Sequence, residues 1–168
     1  MKKVILISIT LLFLFPLFGN AQWYTGISFD TPIQFKNNQL DLGKGGTYFI
    51  RYDFGKNIIT QYEHGFYKRE GEQSSLAITT VAKLGYNFQL KRRKARLSFP
   101  SYLHLGTYRN KGKGLLYWGI STNLFYHINN KFAVFGGVQQ SFSIKINGNQ
   151  SYNFSSFSTG IAINLVRE

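Results

Sequence analysis

The sequence predicts an all-β fold: an eight-stranded antiparallel up-and-down transmembrane β-barrel, preceded by a cleavable signal peptide. Three observations carry this reading. Apolar residues alternate with small or polar ones at a period of two through eight segments, and no helical stripe spaced three and four apart persists. The connections switch between tight Gly/Asn turns and longer polar stretches. The chain opens on an export signal yet contains no cysteine, so the exported fold does not rest on disulfides.

The leader comes first. "MKKVILISITLLFLFPLFGNA", residues 1–21, has two lysines, an apolar run from Val4 to Phe18 and a small residue at Ala21. The run is short for a bilayer span of about 20 residues and no stop-transfer pattern follows. Residues 22–168 then form one barrel domain, with no linker or low-complexity tract. Without Lys2 and Lys3, the 20 basic side chains fall to 18 against 7 acidic. For an exported chain that excess points to an anionic surface: lipopolysaccharide phosphates, phospholipid head groups or extracellular polyanions.

The strands are expected at 23–35, 46–54, 58–67, 76–90, 96–108, 115–128, 132–144 and 152–166. The first follows the leader and begins at Trp23. In the second, Tyr48, Ile50, Tyr52 and Phe54 share one face and Thr47, Arg51 and Asp53 the other. The third sets Ile58, Tyr62 and Phe66 against Gln61 and Glu63. In the fourth, Leu76, Ile78, Ala82, Leu84, Tyr86 and Phe88 oppose Lys83, Gly85 and Asn87. The fifth contains Pro100, which cannot donate to a ladder, so a bulge or local distortion is expected there. In the sixth, Leu116, Trp118, Ile120, Leu124, Tyr126 and Ile128 oppose Gly119, Ser121 and Asn123. The seventh puts Gly137, Gln139 and Ser141 on the small or polar face. The eighth puts Phe157, Thr159, Ile161, Ile163 and Leu165 on one face, and Ser156, Ser158, Gly160, Ala162 and Asn164 on the other.

A soluble ligand-binding barrel and a membrane barrel share this alternation with opposite faces inward. The small and polar face has too few Lys or Glu to be a water-exposed exterior, and it fits a narrow lumen. Trp23, Tyr48, Tyr108, Trp118 and Tyr126 read as aromatic belts at the ends of the apolar face. "GKN" at 55–57, "NNK" at 129–131 and "KRRKA" at 91–95 are compact turns at one rim. "KNNQLDLGKGG", "KREGEQSS", "RNKGKG" and "KINGNQS" are longer loops at the other. Short turns on one side and longer loops on the other are the layout of a bacterial outer-membrane barrel.

Asp30, Arg51, Asp53, Glu63, Lys83, Arg96, His104 and His127 face the expected lumen, with Tyr24 and Tyr102 nearby. Turn-derived registers place Lys83 opposite His104 and Arg51 diagonal to Glu63. Such a set reads either as a catalytic cluster or as a plug of paired charges, and the narrow lumen favours the plug. No histidine has the neighbour along the chain that Ser-His chemistry needs, so no catalytic residue is assigned and a non-enzymatic role is expected. Three scattered histidines offer no metal spacing, no cofactor is implied, and Gly43–Gly46, placed in a loop, lacks a phosphate-loop context. Nucleic-acid binding has no recognised module behind it.

The remaining cations fall in two zones. Lys91, Arg92, Arg93 and Lys94 lie at the turn rim, and Lys68, Arg69, Arg109, Lys111 and Lys113 at the loop rim. Both zones are candidates for contact with anionic lipid or a partner.

"YHINNKFAVFGGV" at 126–138 resembles the recurring hairpin of the small outer-membrane barrels of the OmpX and OmpA-transmembrane type, and the likeness covers nearly all of the mature chain. Ser158–Leu165 resembles the closing-strand signal read by barrel-assembly machinery, but Val166-Arg167-Glu168 stand where an aromatic end would be. A narrower resemblance is to TraO, the small conjugal-transfer proteins. It rests on "QYEHGFY", "LGYNFQLKRRKARLSF", "GTYRNKG" and "STGIAINL", with Tyr62, His64, Gly85, Tyr86, Gln89 and Leu90 at matching positions. That resemblance implies an envelope component of a transfer apparatus; the broader one implies an adhesion or surface-defence barrel. The other readings are a lipid-modifying enzyme using His104 or His127 and a soluble secreted binding barrel.

Overall fold

The computed structural model describes residues 22–36, 39–54, 57–69, 76–92, 95–110, 113–144 and 153–165; the leader and the last three residues lie outside them. Eight strands run in chain order: β1 Gln22–Lys36, β2 Gln39–Phe54, β3 Ile58–Arg69, β4 Leu76–Arg92, β5 Ala95–Asn110, β6 Lys113–His127, β7 Phe132–Ser143 and β8 Asn153–Asn164. Each pairs antiparallel with its sequence neighbours, and β8 pairs with β1 to close the barrel. Closure leaves no unpaired sheet edge, the condition a strand protein must meet in lipid.

The registers set the dimensions. Partner by partner, Tyr24 leads to Arg51, Gln61, Lys83, His104, Gly119, Ser141 and Phe154, and back to β1 at Gln34, ten residues from the start. With eight strands, a stagger of ten gives a tilt of about 40° and a radius of roughly 8 Å at ordinary strand spacing. A lumen that narrow is filled by side chains.

The face assignment expected of a membrane barrel is the one observed. Leu84, Leu103, Ile120, Val138, Phe157 and Ile161 point outward and are exposed, whereas Arg51, Gln61, Lys83, Asn123 and Ser141 are buried inside. A water-soluble barrel would have these reversed. Outward polar groups are tied within the protein: His64 to Thr80 (3.1 Å), Ser101 to Thr122 (3.0 Å), and Thr25, which donates to the Phe49 carbonyl. Lipid offers them no partners, so the barrel supplies them. Trp23 and Tyr126 lie at the turn rim, and Tyr108 and Trp118 toward the other, Trp118 against Phe142 at 5.1 Å. Tyr48 sits mid-band, opposite His64, rather than in a belt. Tyr52 is on the outer side but buried, covered by Trp23 and Phe54.

The loop rim differs from expectation. The stretch 36–46 is mostly strand: Lys36 pairs with Gln39, and Gly43–Gly46 lies in β2. Asn110 likewise pairs with Lys113, so "RNKGKG" is a hairpin end. Gly and Lys alone read as a loop; two extended hairpins supplied the partners that made them strand. At the turn rim Asn57 adopts φ 62°, as a short Gly/Asn turn requires. Asn129 Oδ1 accepts from the Lys131 and Phe132 amides, both at 2.8 Å, to hold the β6–β7 turn.

Pro100 produces no bulge. Ser98 pairs with Phe125 and Ser101 with Thr122 in one unbroken register, and only the two intervening bridges of β5 are missing. The Thr122 hydroxyl reaches the Pro100 carbonyl at 3.4 Å across the gap.

Inside, large rings lie over glycines of the next strand. Tyr102 opposes Gly85 and His104 opposes Gly119, and a Cβ on either glycine would strike the ring and the backbone carbonyl beneath it. Phe49 over Gly26 and Phe135 over Gly160 repeat the arrangement. A ring so placed reaches the strand beyond its neighbour. Gly119→Val is therefore expected to prevent folding, read as loss of the folded species that migrates differently in unboiled gel samples.

Candidate functional site

The lumen is built in three tiers. In the turn-side tier, Arg51 forks onto Asp53, with Nε to Oδ1 and Nη2 to Oδ2 both at 2.6 Å. The guanidinium lies between the rings of Tyr24 and Phe125, 5.1 Å from each centroid. Phe125 stacks on Phe135 at 4.8 Å, and Phe135 meets Phe49 edge-on at 5.5 Å. This aromatic block corrects the expectation of a lumen that is only small and polar.

The middle tier is one hydrogen-bonded chain. Tyr102 donates to Gln61 Oε1 (2.7 Å), and Gln61 Nε2 donates to Glu63 (2.7 Å). Lys83 pairs with the same Glu63 oxygen at 2.7 Å and donates to Gln139 (3.1 Å). Gln139 donates to Ser141 Oγ (3.0 Å), which also lies in hydrogen-bond contact with His104 Nε2 at 3.0 Å. In the loop-side tier Asp30 accepts from Ser28, Thr47 and Tyr67. The cavity among Asp30, Glu63, Lys83 and Gln139 measures ≈ 20 Å³, room for about one water molecule. These side chains fill this part of the lumen.

Lys83 does stand opposite His104, but its ion pair runs to Glu63. Arg51 is diagonal to Glu63, yet it pairs with Asp53 two residues along its own strand. Arg96 leaves the set: it shares the inward parity but is exposed at the turn end of β5, outside the ladder with β6, where it donates to Asn130 Oδ1 at 2.9 Å.

Sequence inspection missed two Ser-His pairs, His104 with Ser141 and His127 with Ser98, each at 3.0 Å across strands. Both serines are nearly fully buried, and His104 Nδ1 has no partner, so no carboxylate orients that ring. The His104 pair thus lacks the third member of an acyl-transfer triad. Register could have found the first pair, since Gly119 between them is the gap His104 crosses. Among the described residues no three His, Cys, Asp or Glu side chains group as metal ligands.

On the outside, Lys44, Lys68 and Arg109 are exposed near the loop rim. Arg69 and Lys113 end strands but their side chains, like those of Lys91 and Arg92, are outside the described set; Lys111, Arg93 and Lys94 lie outside it altogether. No helix of the described residues is long and apolar enough to cross a membrane, which says nothing of strands.

Among solved structures the chain is similar to Neisserial surface protein A, at TM-score 0.65 and 14% identity over 86% of this chain and 99% of that one. The chain has the fold of the small outer-membrane β-barrels. This barrel is also similar to the attachment invasion locus protein Ail of Yersinia pestis, at TM-score 0.57 and 12% identity over 86% of this chain and 97% of that one. Ail has also been solved with the heparin analogue sucrose octasulfate. The N-terminal barrel of Pseudomonas aeruginosa OprF matches at TM-score 0.51 and 13% identity over 87% of this barrel and 100% of that chain. No protein-family model matches the chain, and no curated protein matches it in sequence. None of these three is a conjugal-transfer protein, so the resemblance to TraO gains nothing from them.

Proposed function

We propose that this is a non-enzymatic, non-conducting barrel of the bacterial envelope whose cationic loop rim binds sulfated or phosphorylated polyanions at the cell surface, an adhesion-type role. One observation carries the reading: Asp30, Asp53 and Glu63 turn into the filled lumen, while Lys44, Lys68 and Arg109 face outward at the loop rim. A filled lumen leaves the rims as the places where another molecule meets polar groups. Arg69, Lys111 and Lys113 carry the same charge to the hairpin ends. The sulfated ligand seen on Ail supports a polyanion as the partner class. Ser158–Leu165 is the segment we assign to recognition by the assembly machinery, because it is the strand that closes the barrel against β1.

The refolded chain is expected to be retained on immobilised heparin at physiological salt and released as salt screens the contact. An Arg69→Gln, Lys111→Gln, Lys113→Gln variant should elute at clearly lower salt. Passage of the wild-type barrel without retention would overturn the reading.

A further inference from the structure

We infer that the lumen cavity between the middle and loop-side tiers binds one sodium ion, held by oxygens of Asp30, Glu63 and Ser121. The site lies inside the barrel and uses none of the rim cations, so it goes beyond the proposed polyanion binding.

The first observation is charge. Among the described residues, the charged side chains that border the cavity are Asp30, Glu63 and Lys83. Lys83 pairs with Glu63 at 2.7 Å. Asp30, 6% exposed, meets only the hydroxyls of Ser28, Thr47 and Tyr67. Hydroxyls give a carboxylate hydrogen bonds but no opposite charge, and a buried charge without one is costly. One ammonium against two carboxylates leaves a single negative charge, which a monovalent cation cancels.

The second observation is oxygen without a partner. Ser121 is 6% exposed, and its Oγ borders the cavity with no hydrogen-bond partner. The Gln61 and Lys83 contacts both end on Glu63 Oε1, so Oε2 is the atom left for a ligand. The ladders bring these groups to one place. Asp30 stands opposite Ser158, Ser158 opposite Gly137 and Gly137 opposite Asn123, while Gln139 on the same face stands opposite Ser121. Size and donor type then select the ion. A cavity of ≈ 20 Å³ takes one body about the size of a water molecule. Magnesium keeps several waters and calcium takes about six to eight oxygens, more than this space admits. Oxygen donors suit a hard ion rather than a metal that seeks thiolate or imidazole.

The test is urea unfolding of the whole refolded chain in lipid vesicles, with sodium, potassium or choline chloride at equal ionic strength. An ion that binds only the folded barrel stabilises it by mass action. The wild-type midpoint should therefore rise as sodium replaces choline, and rise less with potassium. Well above half-saturation, each tenfold increase in sodium should multiply the folding equilibrium constant about tenfold, the signature of one ion. Asp30→Asn should abolish the dependence, and Ser121→Ala should need more sodium for the same rise. Unboiled gel migration shows which variants fold; if Asp30→Asn does not, Ser121→Ala carries the test. A wild-type midpoint indifferent to the cation, as a protonated Asp30 or a lone water in the cavity would give, overturns the inference. So does an equal response to sodium and potassium, or a sodium dependence that the folded variants keep unchanged. Heparin retention reads the rim, so either reading can fail alone.

Discussion

Asp53→Ala is expected to destabilise the folded barrel by about 3–5 kcal/mol, because it strands the Arg51 guanidinium inside the lumen. Arg51 is 1% exposed and both forks of its pairing end on Asp53. The rings of Tyr24 and Phe125 that sandwich it attract a cation, but ring faces replace neither the carboxylate charge nor its two short hydrogen bonds. The companion variant Arg51→Met, Asp53→Ala should recover most of the loss, since an apolar side chain of similar length needs no counter-ion in that space. Urea unfolding in lipid vesicles, followed by the fluorescence of Trp23 and Trp118, measures both. If Asp53→Ala unfolds at the wild-type urea concentration, the pair is not what holds the turn-side tier.

Phe125→Ala is expected to cost about 3–5 kcal/mol, the range for truncating a fully packed Phe. The ring is 1% exposed and touches both Phe135 and the Arg51 guanidinium, so its loss opens a cavity and removes one wall of the cation's sandwich. The same urea experiment reads it. A loss below about 1 kcal/mol, ordinary for a surface position, would mean the aromatic block is not a packing core. Because Phe125 and Asp53 act on the same guanidinium, their combined effect should fall short of the sum.

The alternation of Tyr48, Ile50, Leu84, Leu103, Ile120 and Ile161 with Arg51, Lys83, Gly119 and Ser121 was readable from a single strand at a time, because a period of two is a local property of extended chain. Tight turns could be placed for the same reason: Asn57 and Asn129 act on their own neighbours. The lumen set was largely legible too, since parity alone assigns Asp30, Arg51, Asp53, Glu63, Lys83 and His104 to the inside. Arg96 was misplaced because parity gives a face and not a height along the barrel, and its exposure depends on where the wall ends.

Strand count, the two faces and the choice of lipid for the outside follow from local periodicity and composition alone. Side-chain partners depend on how the strands come together. A stagger of ten residues is a property of the closed ring, whereas the registers of neighbouring hairpins bring His104 across Gly119 to Ser141 and set Lys44 beside Lys68. Pairing also turned "KNNQLDLGKGG" from loop into hairpin, because strand formation there depends on hydrogen bonds from the other side of the turn. Such contacts join different strands through their hydrogen-bonded register, and no single strand contains both ends of them.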